Sequence, residues 1–301
     1  MKKFVYAFGD YAKQNKGLNK IRGFFSKAGI IPFLHTYVLN PKPLKDDLHA
    51  MNEYMVANSS SVNEICEMLC DEKSRNIYRN IIKFRCTGKI MALSSILPGD
   101  GNLFPNEILA LSSDEVFIDG GGYDGDTMIQ FMQSVNYLYS QIILFEPNAE
   151  NCQIIEKTIK EMDAENIVVY EEGLWSDQTR LAFMTDNSGG SHIADFSSET
   201  INQSSNSMDI IEIDVNSIDN VMTNAVPTLI KLDIEGAEME ALKGAANTIR
   251  KHKPKLAISI YHKKSDFVEI PLYLKTLVPE YKLFVRHFSN YIYETVLYAV
   301  V

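Results

Sequence analysis

Val116-Phe117-Ile118-Asp119-Gly120-Gly121-Gly122-Tyr123-Asp124-Gly125-Asp126-Thr127 is the segment on which the fold reading turns. An apolar run of β-formers meets a glycine turn, and a helical pattern follows at once from Thr127 to Leu138. Glycine lets the backbone reverse sharply and approach a ligand with no Cβ in the way, while the helix start presents free N–H groups and a positive dipole end. A nucleotide-like ligand fits over such a turn. About 27 residues beyond Asp119, Glu146 closes the next apolar run, where a carboxylate accepts hydrogen bonds from ribose hydroxyls. Pro147 ends that run.

Further runs of the same kind are Ile142 to Phe145, Ile167 to Tyr170, Leu229 to Leu232 and Leu256 to Ile260. Helical patterns fill Ala149 to Met162 and Glu238 to Lys251 between them. Strands alternating with helices predict an α/β fold, doubly wound around a mostly parallel sheet. Tyr281 to Val285 and Tyr291 to Val301 are expected to add a hairpin at its edge, and the Ser- and Gly-rich stretch from Asp186 to Ser207 a long loop near a site. Residues 1 to 112 read differently, as a mainly helical accessory region with apolar residues such as Ile77, Tyr78, Ile81 and Ile82 at helical spacing. Asn58 to Ser61, with Glu64 as capping-box partner of Ser61, is expected to start a helix there. Pro98-Gly99-Asp100-Gly101-Asn102 breaks the chain ahead of a domain spanning 113 to 301.

Composition narrows the function classes. Hydrophobic residues at 46% and charged residues at 23% describe a globular chain of 301 residues. A net charge of −10 disfavours a nucleic-acid partner. Cys66, Cys70, Cys86 and Cys152 form neither a disulfide framework nor a C-x-x-C pair, no run is long enough to span a bilayer, and the N-terminus does not read as a signal peptide. A cytoplasmic setting is the expectation.

Gly120, Gly122 and Gly125 match the dinucleotide spacing G-x-G-x-x-G by letter. Asp119, Asp124 and Asp126 would repel a pyrophosphate, whereas the sulfonium and ammonium of S-adenosylmethionine (SAM) tolerate them. A second acidic stretch, Leu229-Ile230-Lys231-Leu232-Asp233-Ile234-Glu235-Gly236-Ala237-Glu238, brings Asp233 and Glu235 to the end of another strand, hence to the same crevice. Glu238 reads there as a first-turn residue favoured by the helix dipole.

Taken with Leu242-Lys243-Gly244-Ala245, Lys253-Pro254-Lys255-Leu256, Tyr261-His262 and Phe145-Glu146-Pro147, that stretch resembles the FkbM-type SAM-dependent methyltransferases from about residue 113 onward. The resemblance implies SAM as cofactor, with Asp119, Gly120, Gly121, Gly125, Glu146, Pro147 and Asp233 around it. It also implies methyl transfer to a hydroxyl oxygen of a sugar or other small-molecule acceptor. Tyr123 departs from the pattern, in which a glycine or small polar residue is usual. Transfer from a sulfonium mainly needs an aligned nucleophile, and a hydroxyl must also lose its proton. The candidates for that task are His262, Asp233 and Glu235, with His192 and His287 as weaker ones. These carboxylates and His262 are also a conceivable ligand set, but no spacing demands a metal and none is assigned. Lys263 and Lys264 are open between receiving an acidic substrate and a solvated loop, and Trp175 between lining the adenine edge and core packing. The competing readings are an NAD(P)-dependent oxidoreductase and a non-catalytic nucleotide-binding module. For the N-terminal region, covering the site, binding a partner and forming a homo-oligomer all stay open, and Phe8-Gly9-Asp10 is only a faint echo of a nucleotide turn.

Overall fold

Uninterrupted runs of Val, Ile, Leu and Phe belong to strands covered on both faces, and the fold uses them so at Val116, Gln141, Leu229 and Lys255, with the run at Ile167 on the sheet edge. The computed structural model describes residues 41–89, 92–93, 96, 101–185, 191–193, 209–222, 225–289 and 292–301. The chain forms two compact units, one taking the residues up to Gly101 together with Val285–Thr295, the other Asn102–Phe284 with Val296–Val301.

In the first unit, α1 (Pro41–Ala57), α2 (Ser59–Met68) and α3 (Glu72–Thr87) follow one another. The helix α2 does begin at the serine cluster, but it starts ahead of Ser61, so the Ser61/Glu64 capping box does not form. Asn58 instead donates its side-chain amide to the Tyr54 carbonyl at 2.8 Å. The effective cap belongs to α3, where Asp71 accepts from the Ser74 N–H at 2.6 Å and Gly88 closes the far end in the left-handed region. Ile77, Tyr78, Ile81 and Ile82 are the buried stripe of that helix. Asp71 also receives both arms of the Arg286 guanidinium, at 2.7 and 3.4 Å.

The second unit runs α4 (Asn106–Leu109), β1 (Val116–Gly120), α5 (Asp126–Ser134), β2 (Gln141–Phe145), α6 (Ala149–Glu161), β3 (Ile167–Tyr170), β4 (Gly173–Leu174), β5 (Thr179–Thr185), β6 (Ser191–Ile193) and β7 (Asp209–Asn216). It continues with α7 (Ile218–Val221), β8 (Leu229–Leu232), α8 (Glu238–Lys243), α9 (Ala246–His252), β9 (Lys255–Ser259) and α10 (Asp266–Leu277), and the chain ends on β10 (Lys282–His287) and β11 (Thr295–Val300). Seven strands make one sheet in the order β10-β11-β9-β8-β1-β2-β3, with β9, β8, β1, β2 and β3 mutually parallel and β11 antiparallel to β9. The direction of winding reverses between β1 and β8, so the carboxyl ends of these two strands flank the topological switch point where ligands of open α/β sheets bind.

Two expectations need revision. The helix expected from Glu238 to Lys251 is split, because the Gly244 carbonyl accepts from the Asp219 N–H at 2.9 Å and leaves the helical ladder. The Asp219 carboxylate then caps the second half through the N–H groups of Asn247 and Thr248, at 3.0 and 2.8 Å. The runs flanking the Ser- and Gly-rich stretch are strands of a second sheet, ordered β4-β7-β5-β6. Of that stretch, 191–193 pairs as β6 along β5, with Ser191 opposite Thr185 and His192 opposite Met184, and the rest lies outside the described residues, as does Phe8-Gly9-Asp10.

Candidate active site

The glycine turn is built on hydrogen bonds to the neighbouring strand, for the N–H groups of Gly121 and Gly122 both donate to the Phe145 carbonyl, at 2.9 and 3.2 Å. Gly121 has φ +79°, and a Cβ there would stand 2.0 Å from the Asp233 carbonyl oxygen. Only glycine therefore lets the turn after β1 press against the turn after β8. Asp119, at the end of β1, does not face the crevice openly. It is fully buried, and its Oδ1 lies 2.8 Å from Nζ of Lys231, which is also buried. The same ammonium donates to the carbonyls of Gly120 and Gly121 at 3.2 and 2.8 Å, so Lys231 braces the turn from behind. Burial raises the Asp119 pKa; burial also opposes the charge on Lys231, but Asp119 and Asp233 outweigh it and hold the lysine pKa up. Asp124 and Asp126 are exposed.

Glu146 lies at the end of β2, nearly buried, with Oε2 accepting from the Tyr123 N–H at 2.9 Å. Its Oε1 accepts from the Asn148 N–H at 3.0 Å and the Asn151 amide at 3.2 Å. A carboxylate has about four acceptor positions, so Glu146 keeps one, on Oε2, for a ribose hydroxyl while its aim is fixed from both sides. Its Cβ would be 3.7 Å from a Cβ added at Gly122, so the carboxylate and the turn share one side of the crevice. Tyr123 holds φ +46° with its side chain largely in solvent. Pro147 is half-buried beyond the strand end.

The second turn carries the denser chemistry. Asp233 Oδ1 accepts from the Tyr261 hydroxyl at 2.9 Å, and His262 Nε2 stands 3.5 Å from both Asp233 Oδ1 and Glu235 Oε2. Glu235 at φ +54° precedes Gly236 at φ +92°, a left-handed pair that a non-glycine residue adopts only at a cost. Glu238, at the first position of α8, is fully buried. Its Oε1 accepts from the Ile234 N–H at 2.9 Å and lies 2.9 Å from His262 Nδ1. The dipole reading of Glu238 thus accounts for only part of its role. Burial opposes a charge on His262, but Glu238, Asp233 and Glu235 outweigh it and lift the imidazole pKa above its ordinary value. Asp266, at the start of α10, accepts from the Lys263 N–H at 2.7 Å, and burial with the Glu238 charge pushes its pKa up to about 7.

Asp119, Gly120, Gly121, Gly125, Glu146 and Asp233 accordingly meet at the switch point, with Glu235 and His262 beside Asp233. His287 belongs to the other unit, with Nδ1 3.0 Å from Thr295 Oγ1. The His192 side chain lies outside the described residues. Trp175 is half-buried just after β4, its N–H donating to the Asn216 carbonyl at 2.8 Å. Lys231 and Glu238 are the two residues whose importance the sequence conceals.

A mostly parallel sheet in this order, with a glycine turn and acidic strand ends at its switch point, defines a Rossmann-like α/β fold. The chain belongs to the methyltransferase FkbM domain family, whose model matches residues 119–283. A crystal structure of methyltransferase FkbM from Methylobacillus flagellatus KT is similar, at 25% identity and a TM-score of 0.69, over 82% of this chain. The match spans 60% of the length of that protein. Fibrillarin from Aeropyrum pernix, solved with natively bound S-adenosyl-L-methionine, matches 66% of this chain and 73% of its own at 10% identity and a TM-score of 0.40. Among curated proteins none matches the chain. Among the described residues no helix is long and apolar enough to cross a membrane.

Proposed function

We propose that the protein transfers the methyl group of SAM to a hydroxyl oxygen of a saccharide or similar small acceptor. SAM is the cofactor: it lies over the Gly120 to Gly122 turn with its ribose diol on Glu146 and its amino-acid end toward Asp119 and Asp233. The acceptor hydroxyl approaches from the Asp233, Glu235 and His262 side, and its proton passes to that group as the oxygen attacks the sulfonium methyl. The carbon–sulfur bond breaks, and S-adenosylhomocysteine (SAH) leaves as a neutral thioether. What carries the reading is the pairing of a cofactor-type crevice with a proton-accepting cluster on the adjacent strand ends, His262 Nε2 being 3.5 Å from each of two carboxylates. Methyl transfer to an already nucleophilic nitrogen or sulfur has less need of such a cluster. A cytoplasmic setting belongs to this reading, in keeping with free thiols at Cys66, Cys70, Cys86 and Cys152.

Calorimetric titration with SAH and with NAD, followed by transfer of labelled methyl from SAM to a panel of free and nucleotide-linked sugars, tests it. SAH binding, no NAD binding and alkali-stable label in a sugar are the expected results. NAD binding without a response to SAH, or label appearing only on nitrogen acceptors, would overturn it.

A further inference from the structure

Around His262 the fold gathers more carboxylate than one imidazole can balance. Asp233 and Glu235 come from the turn after β8, Glu238 from the first turn of α8 and Asp266 from the first turn of α10. Of the nearby cations, Lys231 is committed to Asp119, and Lys263 bears on Asp266 with its side chain exposed. Glu238 is fully buried, yet its Oε2 accepts no hydrogen bond among the described residues. His262 Nδ1 is likewise buried and makes no hydrogen bond, although Glu238 Oε1 is only 2.9 Å away. Glu238 Oε2 is thus a buried acceptor with no donor, and its Oε1 faces His262 Nδ1 as an ion pair outside hydrogen-bonding geometry, which is costly for a buried group. A shared cation removes that cost.

We propose that Asp233, Glu238 and His262 form a site for a divalent cation of the Mn2+ class. One donor atom from each lies within 4.8 Å of the others, a span that metal–ligand bonds of about 2.0–2.6 Å can bridge. Two carboxylates and an imidazole suit an ion that accepts both oxygen and nitrogen, and three protein ligands leave coordination positions open. The consequence for catalysis rests on the function proposed above. An acceptor hydroxyl bound at an open position becomes more acidic, and Glu235, more exposed and outside the ligand set, is the member of the cluster that receives its proton.

Titration of the full chain with Mn2+ alone, followed by loss of the free-ion electron paramagnetic resonance signal, tests the site, with SAH calorimetry on the same samples. The expected result is one Mn2+ per chain. Glu238→Gln and His262→Ala each weaken it by about tenfold or more, whereas Glu235→Gln retains it and all three still bind SAH. No Mn2+ uptake, or uptake unchanged in both ligand variants, overturns the cation site and leaves His262 itself as proton acceptor. Should Glu238→Gln lose SAH binding through misfolding, the His262→Ala comparison decides. Mn2+ bound with no response to SAH would instead overturn the methyl-transfer reading while the cation site stands.

Discussion

Nζ of Lys231 stands 2.8 Å from Oδ1 of Asp119, and the same ammonium donates to the backbone carbonyls of the turn that Asp119 begins. Neither side chain reaches solvent appreciably, so the pair trades desolvation against mutual attraction and a set of fixed hydrogen bonds. Removing one partner leaves a buried charge uncompensated. Lys231→Met is expected to cost about 3–5 kcal/mol in urea unfolding and to abolish SAH binding. Combined with Asp119→Asn, which removes the orphaned charge, the stability loss should largely reverse while SAH binding stays impaired. Equal destabilisation of the single and double variants would show that the pair does not act as a unit.

Gly121 admits no side chain, since a Cβ would meet the Asp233 carbonyl oxygen at 2.0 Å and φ is +79°. Gly121→Ala must therefore push the two strand-end turns apart. Loss of SAH binding with most of the helical circular dichroism retained is the expected outcome; wild-type affinity would show that the turns need not touch.

Glu146 is held by the Tyr123 and Asn148 N–H groups at 2.9 and 3.0 Å with acceptor capacity to spare. Hydrogen bonds to a charged group contribute about 1.5–3 kcal/mol, so Glu146→Ala should weaken SAH binding by about ten- to a hundredfold. Adenine alone, which lacks the diol, should bind wild type and variant alike. If SAH affinity were unchanged, the diol would have to be gripped elsewhere.

At the opposite ends of the strands, buried Glu115 joins the Lys255 ammonium at 2.5 Å and the Ser112 N–H at 2.9 Å, and also accepts from the Thr228 hydroxyl. Burial raises its pKa, but Lys255 and Thr228 more than offset this, and the folded value lies below the ordinary 4.5. A carboxyl depressed on folding contributes stability that is present above its unfolded pKa and lost as pH falls through the folded one. Glu115→Gln should accordingly be less stable than wild type at pH 7, and the gap should narrow as pH falls from 4.5 toward the folded value. A gap independent of pH would exclude the charge as its source.

His287 responds to acid in the same direction, but the cause is burial rather than a charged partner. Burial pushes its pKa down from 6.5 to about 4, and Nε2 has no hydrogen-bond partner among the described residues. Its neutral form is the folded one, so its contribution is complete above 6.5 and shrinks as pH drops toward 4, where the unfolded chain takes the proton first. His287→Asn should flatten thermal stability between those limits. Unchanged steepness would assign the acid response to other groups.

How much was readable follows from what each residue's neighbours are. The strands at Val116, Gln141, Leu229 and Lys255 declare themselves because both faces are covered, and the edge strand at Ile167 does so by its run of β-formers. The second sheet is harder to see, since β5 and β7 border a long Ser- and Gly-rich stretch and pair across it. Glycine spacing and carboxylates at strand ends marked Asp119, Glu146 and Asp233. Glu238 was obscured because helix dipoles explain a glutamate in any first turn, and Lys231 because one lysine in an apolar strand has no periodic signature.

The amino-acid order alone determined the layered α/β architecture and the location of the crevice, because hydrophobic period and turn chemistry are local properties that short segments carry with them. Which charges neutralise one another was decided only by the folded chain. Residues separated by 24 positions, such as Glu238 and His262, or by 112, such as Asp119 and Lys231, come within 2.9 Å through strand order. Coulomb energy and desolvation depend on that separation in space, which sequence distance does not encode.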